Sequence, residues 1–199
     1  QRGLSQIIYP LIKEVHFTIS EKKLYAIGFE NLSGGWELRN SFYKGSLLKK
    51  DISILNLNNE NHNQNRSQYE TGKRIVVFEG FIDALSFVEM KPFFNGNLLV
   101  MNSISLLNRT KEYLQNYSEI HLFLDNDKPG EICKNEILKS FPEAKDHSEI
   151  YAIHKDLNDY FVFRNNTKIE KQQRIELNPK QEQEEIETNQ AHPNYKRKR

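Results

Sequence analysis

The sequence contains one cysteine, Cys133, and has little apolar content for its length. A single cysteine excludes a disulfide framework and any cysteine-based zinc site within this chain. Because no pattern typical of a nucleophile surrounds Cys133, we interpret it as a structural residue. Hydrophobic residues make up 37% of the 199 positions, which predicts one domain of ordinary size together with segments that do not pack.

Long apolar runs are also missing from the sequence. No stretch approaches the ~18–20 consecutive apolar residues that a membrane-spanning helix needs. The first residues also lack the charged and apolar regions of a secretory signal peptide. The sequence therefore predicts a cytoplasmic protein without a membrane partner. The first residue is Gln1 rather than Met, so we expect a fragment or a processed chain.

The formal net charge is only +1, but the charges are unevenly distributed along the chain. Residues 1–74 carry 11 Lys/Arg against 7 Asp/Glu, residues 75–163 carry 8 against 14, and residues 164–199 carry 9 against 6. A basic segment beside an acidic one fits a polyanion that is handled together with a divalent cation. A chance distribution of a few charges per segment would give the same pattern. The charge distribution therefore indicates polyanion binding only if candidate site residues support it.

Composition divides the chain into four segments. Residues 1–55 contain short strand-like pieces and predict a small, basic, strand-rich N-terminal subdomain. Residues 56–72 are rich in Asn and Gln, which is typical of a linker or a long surface loop. Residues 73–163 alternate between short apolar runs and segments with helical spacing, and residues 164–199 predict a charged, disordered tail.

The alternating segment predicts an α/β fold. Strands are expected in "RIVVFEG", "GNLLVMNS", "EIHLFLDND" and "EIYAIH", with helices between them and after the last one. This order predicts a mostly parallel sheet flanked by helices, preceded by the strand-rich subdomain. In open sheets of this kind, functional sites form at the carboxyl ends of the strands.

Carboxylates follow two of the predicted strands. Glu79 ends the first strand, and Asp125 and Asp127 end the third with one residue between them. Residues i and i+2 of a strand face the same side, so the two aspartates would repel each other unless a cation lies between them. The same residues and the Lys-Pro-Gly that follows them also favour a simple turn, and both interpretations are open at this point.

The complete set of motifs resembles the Toprim domain shared by topoisomerases and bacterial-type primases. The matching motifs are E-G-x-x-D and D-x-D plus Gly, here Glu79, Gly80, Asp83, Asp125, Asp127 and Gly130. The later "HKDLNDYF" resembles a K-D-x-N-D element of the family and contains Asp156. The segment ahead of these motifs is similar to primase-like proteins of mobile elements, particularly those of Bacteroides-type bacteria.

The resemblance implies a Mg²⁺ site, with Mn²⁺ able to substitute. Its ligands would be Glu79, Asp125 and Asp127, with Asp83 and Asp156 as further candidates, and Glu79 would also act as a general acid or base. For Asp83 a favourable charge at a helix N-terminus is equally open, and for Asp156 an N-cap.

The two motif glycines are expected to have structural roles. Gly80 allows a tight backbone turn after the strand that ends at Glu79, and Gly130 completes the D-x-D motif.

The function implied is a DNA primase-type nucleotidyltransferase that makes RNA primers on single-stranded DNA from nucleoside triphosphates, for a mobile element or its replication. A separate zinc-binding module or a helicase would be partners, since this chain has no zinc site of its own. Two alternatives on the same fold stay open: a metal-dependent nuclease, and a non-catalytic DNA-binding or recombination mediator.

Basic and aromatic residues of the N-terminal segment are candidates for nucleic-acid binding. The basic candidates are Arg39, Lys44, Lys49 and Lys50, which would contact the phosphate backbone. The interleaved aromatic residues Trp36, Phe42 and Tyr43 would either stack on bases or pack within a small sheet.

Overall fold

The structure is a computed structural model that describes residues 2–57 and 74–177, with only the backbone given for 171–177. The predicted linker at 56–72 therefore lies almost entirely outside the described residues. Residues 1–161 form one compact unit, and a second unit begins at residue 162. Across the described part of the chain, no helix has the length and apolar character needed to span a membrane.

The N-terminal part of the first unit is an antiparallel sheet with its strands in sequence order. These strands are β1 (Lys13–Ile19), β2 (Lys22–Glu30), β3 (Trp36–Arg39) and β4 (Lys44–Leu47). A two-residue turn joins β1 to β2, and both of its residues, Ser20 and Glu21, have positive φ angles of 46° and 66°. Such angles match the right-handed twist of a tight hairpin.

Two of the three aromatic candidates pack within this sheet. The Tyr43 ring lies 5.1 Å from that of Phe17, and the Lys13 ammonium lies 5.5 Å from the Trp36 ring. Phe42, by contrast, is fully exposed at the turn between β3 and β4. Only Phe42 of the three therefore keeps its whole ring available for stacking.

The second sheet is the mixed α/β core that the sequence predicted. Its strands, in spatial order, are β5 (Ser53–Asn56), β7 (Asn97–Val100), β6 (Arg74–Phe78), β8 (Glu119–Phe123) and β9 (Lys145–Asp146). Strand β5 is antiparallel to β7, and all other pairs are parallel. The helices are α1 (Phe81–Met90), α2 (Leu107–Leu114), α3 (Lys128–Ser140) and α4 (Leu157–Leu177).

Both faces of this sheet are buried, which explains why its central strands are continuous apolar runs. Val76 and Phe78 of β6 belong to the core beneath α1, while Ile75 and Val77 belong to the core beneath α2 and α3. Cys133 is buried in the second of these cores. Burial, with smaller contributions from nearby carboxylates, raises the pKa of its thiol to about 11, which agrees with a structural role.

Strand β5 differs from the sequence-based expectation. It falls within the range predicted for the N-terminal subdomain, yet it pairs with β7 at the edge of the second sheet. The chain therefore enters the α/β core before the polar segment rather than after it. The half-buried Ile54 and Leu55 explain this pairing, since they pack on opposite faces of the sheet.

The strand predicted in "EIYAIH" is wrong. This segment contains a 3-10 helix, Ser148–Tyr151, and the last strand of the sheet is the short β9 that precedes it. Asp146 fixes this turn because its carboxylate accepts the backbone N–H and the hydroxyl of Ser148 at 3.0 and 2.8 Å. Of the apolar residues here, Tyr151 is buried whereas Ile153 is 88% exposed, so a strand with both on one face is not formed.

Helix α4 also extends further than expected. It continues to Leu177, so residues 164–177 of the predicted disordered tail are helical in this structure. Lys, Glu, Gln and Arg dominate this stretch, and all are good helix formers. The rest of the predicted tail, 178–199, lies outside the described residues.

Candidate metal and nucleic-acid site

Glu79 and Asp125 lie side by side at the carboxyl edge of the second sheet. The neighbouring parallel strands β6 and β8 are aligned so that Phe78 is paired with Phe123. The residues that follow these strands therefore meet at the same edge. Here the backbone N–H of Asp125 donates to Oε1 of Glu79 at 3.0 Å, which holds the glutamate carboxylate against the turn after β8.

Asp127 lies at the same edge, where it is the N-cap of α3. Its Oδ1 accepts the backbone N–H of Gly130 at 3.0 Å, and Lys155 Nζ lies 3.9 Å from its Oδ2. Pro129 occupies the first turn of the helix, as helix starts favour. The D-x-D segment thus makes the turn that its composition favours and also carries its carboxylates to the end of the strand.

Gly130 leaves the space in which the Glu79 carboxylate lies. A Cβ atom at residue 130 would be 2.2 Å from the carbonyl oxygen of Asp125 and 2.5 Å from Glu79 Oε1. Both distances are far below van der Waals contact, so any side chain here would displace the carboxylate or the turn. Gly130 is therefore required by close approach, and its φ angle is ordinary.

Burial raises the pKa of Asp125 to about 8. The negative charges of Asp83, Glu79, Asp156 and Asp127 raise it further, in that order. The carboxyl group of Asp125 is therefore reluctant to ionise in the absence of a cation.

The pKa of Glu79 is also raised. Burial raises it most, the hydrogen bond from the Asp125 backbone lowers it, and the charge of Asp127 raises it further. Lys155 and Lys44 lower it by smaller amounts. A glutamate whose pKa is moved toward neutrality is suited to exchange a proton, which is the property that the general acid or base role needs.

The donor set fits a hard divalent cation in chemistry and in charge. All of its donors are carboxylate oxygens, the ligand type of Mg²⁺, and a cation would relieve their repulsion. Within the described residues, however, no three His, Cys, Asp or Glu side chains are gathered as a ready ligand set. A backbone N–H donates to Oε1 of Glu79 and another to Oδ1 of Asp127, so one oxygen of each carboxylate is held by the protein.

Asp83 makes a contact that the sequence did not predict. It is 7% exposed, and its Oδ1 accepts the backbone N–H of Asn158 at 3.0 Å in the first turn of α4. Asp83 therefore caps α4, although its own position is in α1. Burial, and then the charge of Asp156, raises its pKa to about 7.

Asp156 also makes a capping contact, because its Oδ1 accepts the backbone N–H of Asp159 at 2.8 Å. Asn158, between these residues, is tied to α1 and to the N-terminal segment. Its Nδ2 donates to Ser86 Oγ and to the Arg2 carbonyl oxygen, both at 2.9 Å. A metal-ligand role for Asp83 or Asp156 stays a prediction, and both side chains already have defined partners in the protein.

The first sheet contacts the carboxylate edge through two stacked aromatic rings. Phe29 of β2 lies parallel to Phe81, with ring centroids 5.4 Å apart and an interplanar angle of 5°. Phe81 is the second residue after Glu79, so this contact brings the first sheet close to the site. Glu37 of β3 is paired with Phe29 and shares its face of the sheet.

Arg39 and Lys44 are directly opposite each other on β3 and β4, two residues along the strand from Glu37. Like charges in directly paired positions repel, so this pair is favoured by an anion that binds across it. Lys44 lowers the pKa of both Glu37 and Glu79, as the smallest of the causes in each case. Lys50 also lowers the pKa of Glu37, and the side chains of both Lys49 and Lys50 are exposed.

Two family models each match one part of the chain, and solved structures match most of it. Residues 76–161 match a family described as Toprim-like, and residues 1–48 match a domain of unknown function, DUF8464. No curated protein matches the sequence.

Two solved structures similar to this chain come from bacteriophage T7. One is the primase fragment of its primase-helicase protein, 17% identical, with a TM-score of 0.57, covering 86% of this chain and 70% of that one. The other is the primase domain in a complex of the lagging-strand DNA polymerase with two gp4 subunits bound to an RNA/DNA hybrid and dTTP. It has the same identity and TM-score and covers 86% of this chain and 87% of that one. Residues 76–161 therefore resemble Toprim-like domains in sequence, and the chain shares its fold with a phage primase fragment.

Proposed function

We propose that this chain is a DNA primase-like, metal-dependent nucleotidyltransferase that makes short RNA on single-stranded DNA. The observation that carries the proposal is the position of Lys44. It belongs to a like-charged pair on the first sheet, and that sheet packs through Phe29 on Phe81, two residues after Glu79. A pair that favours phosphate therefore belongs to the sheet that packs next to the carboxylate edge, and phosphoryl transfer uses both kinds of group.

Each group has a defined part in this proposal. Mg²⁺ or Mn²⁺ would be held by Glu79, Asp125 and Asp127 and would neutralise charge on the transferring phosphoryl group. Glu79, with its raised pKa, accepts the proton of the attacking hydroxyl. Arg39 and Lys44 hold the phosphates of the template or of the nucleotide.

Other components of a priming system belong to the same proposal. A zinc-binding module on a separate chain or segment would select start sites, and a helicase would supply single-stranded template. The T7 neighbour is a primase-helicase protein, which supports a helicase as the kind of partner. A role in the replication of a mobile element stays a prediction that rests on the sequence resemblance.

A priming assay tests the proposal. The chain is incubated with a single-stranded DNA template, labelled ribonucleotides and either Mg²⁺ or Mn²⁺, and we expect short RNA products at a slow rate. Glu79→Gln keeps the shape of the side chain and removes its ionisable group. We expect it to lower the rate by about 10²-fold or more while DNA affinity changes little, because the interaction is made in the transition state.

Two further variants complete the assay. Glu143→Gln changes an exposed glutamate elsewhere in residues 76–161, and its rate should equal that of the parent. Asp125→Ala combined with Asp127→Ala should abolish Mn²⁺ binding. The primase proposal is rejected if the parent makes no RNA with either metal, even with a zinc module supplied in trans. Template cleavage that disappears in Glu79→Gln would identify a nuclease instead.

A further inference from the structure

Asn102 has an unusual backbone conformation beside the proposed catalytic glutamate. It follows β7 with a φ angle of 62°, in the left-handed region that asparagine tolerates better than most side chains. Its backbone N–H donates to the carbonyl oxygen of Glu79 at 2.9 Å, and the preceding Met101 N–H donates to Phe78 at 2.8 Å. The backbone of Glu79 is therefore held by the residue that ends the neighbouring strand.

The Asn102 side chain ties this backbone to the segment that leads out of the first sheet. Its Nδ2 donates to the carbonyl oxygen of Asp51 at 2.9 Å and to Ser53 Oγ at 2.8 Å. A carbonyl oxygen can only accept, so the amino group of Asn102 must face Asp51. Its Oδ1 is buried and has no partner among the described residues.

The same segment is bonded to the loop between β2 and β3. Ser33 Oγ donates to Asp51 Oδ2 at 2.8 Å, and the Leu32 N–H donates to the Ile52 carbonyl oxygen at 2.9 Å. Hydrogen bonds therefore run without interruption from the first sheet, through residues 51–53, to Asn102 and on to Glu79. Strand β5, which begins at Ser53, also pairs with β7, and within this path the Asn102 side chain joins residues 51–53 to the residue that holds the Glu79 backbone.

We propose that Asn102 is a positioning residue for Glu79, which it holds at a fixed place relative to the basic first sheet. The catalytic purpose of Glu79 in this proposal rests on the proposed function. The way in which Asn102 holds the glutamate does not depend on it. Two properties of Asn102 are needed: tolerance of a positive φ angle, and two amide donors. Glycine supplies the first property without the second, and this separates backbone strain from the loss of the link.

Amide hydrogen exchange in the whole chain measures the position of Glu79 directly. The reporter is the Asp125 N–H, because it donates to Glu79 Oε1 and exchanges faster when that carboxylate moves away. In Asn102→Gly we expect the Asp125 amide to exchange about five-fold faster, relative to the slowest amides of β8, as for loss of one net hydrogen bond. Ser53→Ala removes one acceptor only and should act in the same direction with a smaller effect.

Asn97 provides a matched control on the same strand. It lies at the start of β7, is fully buried, and donates through Nδ2 to the Tyr117 hydroxyl at 2.7 Å. Its Oδ1 is also without a partner among the described residues. Asn97→Ala should lower global stability and leave the relative exchange of Asp125 unchanged.

Mn²⁺ titration gives a second readout, in which Asn102→Gly should bind about five-fold more weakly because a ligand is no longer held in place. The positioning role is overturned if Asn102→Gly leaves the relative exchange of Asp125 at the parent value. It is equally overturned if Asn97→Ala accelerates that exchange as much as Asn102→Gly does. If the parent makes no RNA and binds no Mn²⁺, the proposed function fails, while the exchange result still decides the role of Asn102.

Discussion

At the scale of single residues, the site depends on how closely Gly130 approaches Glu79. A Cβ atom at position 130 would overlap Glu79 Oε1 and the carbonyl oxygen of Asp125. We expect Gly130→Ala to destabilise the protein by about 1–3 kcal/mol, the usual cost of overpacking. It should also weaken Mn²⁺ binding because the Glu79 carboxylate is displaced. Urea unfolding and a Mn²⁺ titration measure the two effects.

Gly80 is the matched control for this substitution. A Cβ atom there would lie 3.2 Å from Asp83 Oδ2, a contact that a small side-chain shift relieves. Gly80→Ala should cost about 1 kcal/mol as a poorer N-cap and should leave Mn²⁺ affinity close to that of the parent. Parent-like stability and affinity in Gly130→Ala would show that the carboxylate does not need this space.

The residue pattern of the carboxylates could be predicted from sequence, but their partners could not. A strand that ends on two alternating aspartates already places both at a sheet edge. The contact of Asp83 with Asn158 joins positions 75 residues apart, and that of Arg2 with Asn158 joins positions 156 apart. No periodic signal links such residues, because the contacts arise only when α1, α4 and the N-terminal segment pack together.

At the scale of secondary-structure elements, the β3–β4 hairpin carries the phosphate-binding prediction. Arg39 and Lys44 repel each other across the strands, and a phosphate that bridges them removes this repulsion. We expect Arg39→Ala combined with Lys44→Ala to lower the affinity for single-stranded DNA. The slope of log affinity against log salt should fall by about 1.4, from two fewer phosphate contacts. Fluorescence anisotropy over a salt series measures both quantities.

A control removes the same amount of charge from β2 of the same sheet, further along the strand from Phe29 than the row of Arg39 and Lys44. Lys22 and Lys23 are exposed at the start of β2, next to the β1–β2 turn. Lys22→Ala combined with Lys23→Ala should leave the salt slope nearly unchanged if DNA binds near the carboxylate edge. Equal changes of the salt slope in the two double variants would instead indicate that DNA binds through the net positive charge of the sheet and not at a defined site.

Secondary-structure elements with a strong hydrophobic pattern were predicted correctly from the sequence. The central strands and α1 are of this kind, because the faces that pack into the two cores are apolar. The segment "EIYAIH" was misassigned because its apolar run, 150–153, resembles a buried strand. Asp146 fixes the turn through Ser148, and the Tyr151 hydroxyl donates to the Leu124 carbonyl oxygen, at 2.8 Å and 27 residues away. The contact with Leu124 leaves no local pattern in the sequence.

At the scale of the whole molecule, two buried carboxyl groups near the sheet edge are expected to make folding depend on pH and on cations. Burial first, and then neighbouring carboxylates, raise the pKa of Asp83 to about 7 and that of Asp125 to about 8, from 3.8 in both cases. Between about pH 4 and pH 8 these two groups therefore bind more protons in the folded chain than in the unfolded chain. Since stability falls with rising pH when the folded state binds more protons, the metal-free protein should be less stable at pH 8 than at pH 5.

Asp83→Asn removes one of the two carboxyl groups. The amide oxygen can still accept the Asn158 N–H, so the cap of α4 is retained while the buried charge is removed. We expect this variant to lose less stability than the parent as pH rises from about 4 to about 8, because it lacks one titrating group and because loss of the Asp83 charge also lowers the pKa of Asp125. Urea unfolding at several pH values in the presence of a chelator measures the difference.

A divalent cation should reverse this loss, because it supplies the positive charge that the carboxylate edge lacks. At a Mg²⁺ concentration of 100 times its dissociation constant, we expect the free energy of unfolding to rise by about 2.7 kcal/mol. The rise should be smaller near pH 5, since protons then compete for Asp125. Asp125→Ala combined with Asp127→Ala should remove the effect of Mg²⁺ and also the fall in stability that comes from Asp125. If Mg²⁺ stabilises this double variant as much as the parent, the cation binds elsewhere and the edge is not its site. If the metal-free parent is equally stable at both pH values, the carboxyl groups at the edge do not titrate as expected.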